Sequence, residues 1–286
     1  MPAQEVSSKQ ETVVAEATLD NSFLSRDKLL KKKGAKVVIW GGPGIGKSFF
    51  ALTFPSPIYV VSTEFGVDQL LHHFPDKDIK IMECTEPYTP APVTKKTGKE
   101  DERPAAVDPL LSLKQFDKAT LLLKDVTEGT IVVDSGSDLW EWWGAWIEYN
   151  ADKFVQSGNM MRTEWGKANT RYKWMLMRLI SRPVNFVMTL RSQNIYSGDG
   201  KETSQEKFSG QKNTPFIPDM VIHLEKKATP KIDTAGKVTG SNISRVGTLT
   251  KLRFNDIYNN AIVMQNPTYD VLKESLKGKV PDQVFK

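Results

Sequence analysis

Val37-Val38-Ile39-Trp40 runs directly into Gly41-Gly42-Pro43-Gly44-Ile45-Gly46-Lys47-Ser48. The first four residues are a short continuous apolar run, the pattern of a strand buried on both faces. The next eight match G-x-x-x-x-G-K-[ST] in full, and a helix from Lys47 to Thr53 is expected to follow. Glycines at these places let consecutive backbone N–H groups turn inward around phosphate oxygens. The following helix adds its free N–H groups and the positive end of its dipole. Gly41, Gly42, Pro43, Gly44, Ile45, Gly46, Lys47 and Ser48 are therefore expected to hold a nucleoside triphosphate, ATP with Mg²⁺. Lys47 would reach the β- and γ-phosphates, and the Ser48 hydroxyl would ligate the metal.

Four further runs repeat the buried-strand pattern: Ile58 to Val61, Thr130 to Val133, Val184 to Met188 and Asp219 to Leu224. Helical stripes lie between most of them. Leu139, Trp143, Trp146 and Ile147 share one face, and Tyr172, Met175, Leu176 and Leu179 share another. Alternating strands and helices predict an α/β fold with a mostly parallel sheet covered on both sides. After Leu224 the pattern changes to hairpin material, with strands expected over Gly247 to Phe254 and Ala261 to Gln265 as a C-terminal β-hairpin extension. Residues 1–34 hold little core material and read as a flexible tail or oligomerisation arm. The core is expected over 35–270, with mobile insertions at about 86–109 and 192–214, and 271–286 as a C-terminal tail.

The chain of 286 residues is 39% hydrophobic and 26% charged, an ordinary globular balance. There is no run of about 18 apolar residues and no apolar stretch near the N-terminus, so neither a membrane span nor a secretory signal is expected. The single cysteine, Cys84, has no partner for a disulfide or a metal site. A reducing, cytoplasmic home follows. A net charge of +5 permits contact with nucleic acid without demanding it.

Three strand ends extend the site. Thr130 to Val133 ends in Asp134, placed to hold Mg²⁺ together with Ser48. Glu64 follows the Ile58–Val61 strand at the sheet edge where ligands collect, and is the group expected to orient or deprotonate the attacking water. Thr189 and Arg191 end the Val184 strand, placed to sense the γ-phosphate. Asp138 is close by but reads better as a first-turn helix acid. The tryptophans Trp140, Trp142, Trp143 and Trp146 read as helix packing, and no zinc cluster or Ser/His/Asp set is visible.

In that order — phosphate loop, Thr63-Glu64, Ile131-Val132-Val133-Asp134-Ser135, Thr189-Leu190-Arg191, then a long segment — these pieces resemble the RecA-type branch of P-loop ATPases. The chain is similar, more narrowly, to compact phage and archaeal RecA-like ATPases of single-strand annealing and recombination, described as an AAA domain. Asp134-Ser135, Leu139-Trp140 and Arg162-Thr163-Glu164-Trp165-Gly166-Lys167-Ala168-Asn169 carry that likeness, which spans about residues 35 to 265. Numbering the five runs in chain order, the resemblance implies sheet order 5-1-4-3-2. It implies water activation by Glu64, and a polar sensor at Thr189 where glutamine is more usual. It also implies a mobile DNA-binding segment from Ser192 to Thr214 containing Lys201, Lys207 and Lys212. Lys251 and Arg253 resemble the basic pair that reaches a neighbour's ATP in that family. A phage- or virus-encoded origin is compatible with it.

Residues 153 to 191 interleave Lys153, Arg162, Lys167, Arg171, Lys173, Arg178, Arg182 and Arg191 with Trp165, Tyr172 and Trp174. Cations beside aromatic rings suit single-stranded DNA, whose phosphates meet Lys and Arg and whose bases stack on rings. Arg162, Lys167, Arg171, Lys201, Lys207 and Lys212 are the DNA-binding candidates. The leading expectation is an ATP-hydrolysing protein of recombination, annealing or replication. It would assemble as a ring or filament and work with a single-strand-binding protein or other recombination factor. A helicase or genome-packaging motor, and a nucleotide-gated scaffold that barely turns ATP over, are the alternatives. No arginine finger stands out; Arg253 and Arg191 are the candidates.

Overall fold

The computed structural model describes residues 34–87, 107–149, 162–232, 234, 238–254 and 261–285. In chain order the elements are β1 (Lys36–Gly41), α1 (Lys47–Leu52), β2 (Ile58–Ser62), β3 (Ile79–Glu83), α2 (Pro109–Leu122), β4 (Thr130–Asp134), α3 (Gly136–Tyr149), α4 (Arg162–Ile180), β5 (Asn185–Tyr196), β6 (Glu202–Ser209), β7 (Met220–Ile232), β8 (Val238–Leu252), β9 (Ile262–Gln265) and α5 (Tyr269–Ser275). The expected tail 1–34 lies outside the described residues but for Gly34, as does most of the 86–109 insertion.

One sheet runs β3-β2-β4-β5-β1-β7-β8-β9, with β6 paired to β5 alone. The pairs from β3 through β7 are parallel, and β7-β8-β9 is antiparallel. The five strands read from sequence stand in the order 5-1-4-3-2, with β5 between the phosphate-loop strand and the Asp134 strand. The fold is the α/β P-loop NTPase architecture.

Strand periodicity sends alternate side chains to opposite faces. Val37, Ile39, Val60, Val132, Val187 and Ile222 pack into one apolar layer with Phe50 and Phe54. Val38, Val61, Ile131, Val133, Phe186 and Met188 pack into the other with α2, α3 and α4, through Phe116, Leu139, Tyr172 and Leu176. Two-sided burial explains why these strands read as unbroken apolar runs. Helix α2 starts cleanly because Asp108 accepts from Leu110 N and Leu111 N, each at 2.9 Å, with Pro109 opening the first turn.

Two expectations are corrected. The segment 192–214 is not an irregular loop: β5 continues to Tyr196, and β6 returns antiparallel against it, pairing Arg191 with Ser209 and Gln193 with Lys207. Most of this ribbon is solvated on both faces, so its sequence carries no apolar alternation to betray two strands. Nor is 271–286 a tail. Leu272, Leu276, Val280, Val284 and Phe285 are buried in the first layer. Tyr269 stacks obliquely on Phe54 at 4.9 Å, and its N–H donates to Thr53 Oγ1 at 2.8 Å. The C-terminus thus braces the end of α1, the helix that carries the phosphate loop's Lys and Ser.

Candidate active site

β1 ends at Gly41, and the loop to Lys47 turns back on left-handed glycines, with φ of 62° at Gly44 and 96° at Gly46. A side chain at either would be strained, so only glycine keeps this path. Lys47 Nζ folds into the loop and donates to Gly41 O at 3.0 Å and Gly42 O at 2.8 Å. Burial holds its ammonium below the ordinary lysine range, against the opposing pull of Glu64 and Asp134. An anion within the loop would oppose that shift, which suits phosphate.

Asp134 is 2% exposed at the end of β4. Burial pushes its carboxyl up, while hydrogen bonds from the Ser48 and Thr189 hydroxyls pull it down. Thr189 Oγ1 donates to Asp134 Oδ1. Two hard oxygen donors, Ser48 and Asp134, therefore meet beside Lys47, a set that fits Mg²⁺ better than a softer metal. Thr189, expected to sense the γ-phosphate, has its hydroxyl on Asp134. The Asp134–Ser135 peptide is cis. Thr63 meets it from β2: Ser135 N donates to Thr63 Oγ1 at 2.6 Å, and Thr63 Oγ1 donates to Ser135 O at 2.7 Å.

Glu64 follows directly, with its N–H on Asp134 O at 3.3 Å. Its carboxylate accepts from Arg191 Nε at 2.9 Å. The same guanidinium reaches Asp138 Oδ1 and, at 3.5 Å, Glu141 Oε1. One cation among three acids leaves an excess of negative charge. Burial and the Glu64 hydrogen bond push Asp138 up to about 7, although Ser135 and Arg191 pull the other way. Glu64 goes down: burial would raise it, but hydrogen bonds from Asp138 and Ser135 and the Arg191 charge outweigh that. The pair thus shares a proton near neutral pH, with Asp138 the protonated partner. Asp138 stands in the first turn of α3, as the sequence suggests, and is also a second carboxyl of the site.

A cleft of about 830 Å³ opens over this constellation. Pro43 to Phe49, Glu64 and Arg191 line it, and so do Leu70, His73, Ser192 and Arg245. Phe49 meets His73 edge-on at 5.7 Å and Arg245 at 5.7 Å. Phe49, His73 and Arg245 were not foreseen. Phe49 follows the motif directly and was within reach of sequence reading; Arg245 comes from a strand whose register no local pattern gives.

The other expected basic groups lie elsewhere. Lys251 Nζ donates to Pro215 O at 2.6 Å and Pro218 O at 2.7 Å. Arg253 pairs with Asp219 at 3.0 Å and caps the carbonyls of Phe216, Ile217 and Pro218. Lys251 faces Val221, at the start of β7, whereas the phosphate loop leaves the other end of the sheet, where Gly41 faces Leu224. Within the chain the pair stands apart from its own loop, with its donors on these carbonyls and on Asp219.

Among the DNA-binding candidates, Lys167 and Arg171 are exposed on α4 beside Trp174, and Arg171 lies 4.7 Å over the Trp146 ring. Arg162 opens α4, and its side chain is outside the described residues. Lys201 stands at the ribbon turn, paired with Asp199 at 3.2 Å, and Lys207 is on β6. Lys212 follows the ribbon where Gln211 Nε2 donates to Asn169 Oδ1 on α4 at 2.9 Å. The structure brings Lys212 to α4 and leaves Lys201 at the far tip. Trp140 packs on Trp165 and Tyr172, joining α3 to α4, and Trp143 packs on Trp146 within α3. Among the described residues no helix is long and apolar enough to cross a membrane.

A family model described as an AAA domain matches residues 33–250. No curated protein matches the chain. Among solved structures, one described as a prototypical ATPase from the type III secretion system of pathogenic bacteria is 17% identical, with a TM-score of 0.35, over 68% of this chain and 52% of its own. The chain therefore spans about half the length of that protein.

Proposed function

The chain belongs to the AAA domain family of P-loop ATPases, and from that premise we propose that it binds and hydrolyses ATP in the service of single-stranded DNA recombination or annealing. The observation that carries the ATP reading is the convergence, in one cleft, of the phosphate loop, the Ser48–Asp134 oxygen pair and Glu64. Phosphoryl transfer needs positioning and charge neutralisation more than covalent help from the protein. Loop N–H groups and Lys47 would hold the β- and γ-phosphates. Ser48 and Asp134 would hold Mg²⁺, which when bound neutralises charge on the phosphate oxygens. Glu64, kept ionised by its neighbours, would draw the proton of the attacking water.

The DNA reading is supported by α4, where Lys167, Arg171 and Lys173 are exposed around a Trp174 that is 64% exposed. A large exposed aromatic ring among cations fits stacking on a base beside a phosphate. The β5–β6 ribbon begins at Arg191, which lines the cleft beside Glu64, and offers a route by which nucleotide state could reach DNA. Assembly as a ring or filament on the strand, beside a single-strand-binding protein or other recombination factor, completes the reading.

The test is the mass of the assembly with and without a non-hydrolysable ATP analogue and an oligonucleotide, alongside ATP turnover. Growth of the assembly with both ligands, and turnover lost in Lys47→Ala, is the expected result. Unchanged turnover in Lys47→Ala would remove the ATPase assignment. If single-stranded DNA changes neither turnover nor mass, the DNA role falls while the ATPase stands.

A further inference from the structure

Arg245 lies on β8 opposite Lys226 of β7, at the level where the phosphate loop leaves the sheet. Its guanidinium covers the outer face of that loop: a Cβ built on Gly46 would stand 2.9 Å from Arg245 Nε. Its backbone is fixed on both sides by Asn266. Arg245 N donates to Asn266 Oδ1 at 3.0 Å, and Asn266 N donates to Arg245 O at 2.7 Å. The side chain lines the same cleft as Lys47, Ser48 and Glu64.

The charges around the cleft set this residue apart. Arg191 is shared among Glu64, Asp138 and Glu141. Arg253 is committed to Asp219, and Lys251 to two carbonyls, at the other end of the sheet. Among the described residues no carboxylate forms an ion pair with Arg245, whose guanidinium lies over Gly46 and 5.7 Å from the Phe49 ring. A cation held over a phosphate loop without an anionic partner is complementary to a phosphate, which a guanidinium grips through two parallel N–H bonds.

We propose that Arg245 is the arginine that contacts the triphosphate, supplied in cis by the same chain that holds the phosphate loop. This rests on the ATPase reading above and adds to it. Charge developing on the phosphates would be met without a neighbouring subunit, so assembly would serve DNA and not complete the catalytic site. Gly46 matters twice over: any side chain there would also evict Arg245.

The experiment pairs Arg245→Gln and Arg245→Lys with a mixing assay. Arg245→Gln is expected to lower kcat by roughly 10³-fold, at the low end of what an arginine finger supplies. Arg245→Lys, which keeps the charge, should recover part of it. Equal melting temperatures will confirm that Arg245→Gln is folded; if it is not, Arg245→Lys carries the comparison, with an expected loss of at least about tenfold. Lys47→Ala protein, with a disabled loop but an intact Arg245, is then mixed with Arg245→Gln protein. Cis action predicts that the mixture is no more active than its parts. Recovered activity would show Arg245 working on a neighbour's nucleotide and overturn the proposal, as would an Arg245→Gln kcat within about threefold of wild type. If Lys47→Ala alone turns over ATP normally, the ATPase reading fails first, and separately.

Discussion

Arg191 Nε donates to Glu64 Oε1 at 2.9 Å across the mouth of the phosphate cleft, joining the end of β2 to the root of the β5–β6 ribbon. Glu64 is half-buried, and burial by itself would raise its carboxyl. The hydrogen bonds from Asp138 and Ser135, with the Arg191 charge, hold it below the usual range. Removing the guanidinium leaves the burial and takes away part of the compensation. Arg191→Ala is therefore expected to raise the Glu64 pKa. A base works only when ionised, so the rise of kcat with pH should move to higher pH in Arg191→Ala. Glu64→Gln should abolish that limb and cost roughly 10²- to 10⁴-fold in kcat. A kcat–pH profile of both variants checks this. An unshifted limb in Arg191→Ala would mean that Glu64 is not the titrating base.

Asp138 moves the other way, up to about 7, chiefly through burial and its hydrogen bond to Glu64. The folded state thus holds this proton more tightly than the unfolded chain, whose aspartates titrate near pH 4. By linkage the stabilising contribution is complete below about pH 4 and is lost as pH rises to about 7. Asp138→Asn removes the titration and keeps the shape. Thermal melts of wild type between about pH 5 and 8 should show a decline that Asp138→Asn lacks. The measurement is the difference in slope between the two proteins, not either slope alone.

What the sequence revealed and what it hid follow from where each residue meets solvent. Val37 to Trp40 and Thr130 to Val133 read clearly because both faces of their strands are covered. Strand β3 escaped because Ile79-Lys80-Ile81-Met82-Glu83 is a sheet edge with exposed Lys80 and Glu83, and its short mixed pattern resembles a loop. Ser48, Asp134 and Glu64 could be proposed because each lies within three residues of a readable strand or in the motif itself. Arg245 was not. Its place over Gly46 depends on the register of a long hairpin, with shifts near Val221 and Lys231, and no local pattern fixes a register of that kind. Lys251 and Arg253, at and just past the end of β8, were expected from the family resemblance to reach a neighbour's ATP, and within this chain they stand apart from the phosphate loop.

The β5–β6 ribbon is exposed on both faces beyond Ser192, so it contributes little to the core. Replacing residues 195–205 by a tight two-residue turn is expected to leave the melting temperature nearly unchanged. If the ribbon contacts DNA, the same deletion removes Lys201 and should weaken oligonucleotide binding at low salt. It should also flatten the dependence of affinity on salt concentration by about one phosphate contact per lysine removed. Binding isotherms at several salt concentrations read this directly. An unchanged salt slope would confine DNA contact to α4.

The C-terminal segment sets the last expectation. Leu272 is fully buried between the sheet and the end of α1, and Tyr269 bridges Phe54 and Phe285 at 4.9 Å and 5.9 Å. Thr268 caps α5 by accepting from Val271 N at 3.3 Å, so the helix is locally specified as well as packed. A tail would tolerate truncation; a brace would not. Leu272→Ala should cost about 2–5 kcal/mol, the usual range for a buried leucine emptied to alanine. Deleting 269–286 should cost more, because it uncovers Phe54 and removes the N–H that Thr53 Oγ1 accepts. Since Thr53 ends the helix that starts at Lys47, the loss should propagate to the phosphate loop. Leu272→Ala is thus expected to bind an ATP analogue near normally while folded. The truncated chain should bind it more weakly even at temperatures where its far-ultraviolet circular dichroism is still native. Equal affinity in the folded truncated chain would show that α5 stabilises the layer without shaping the loop.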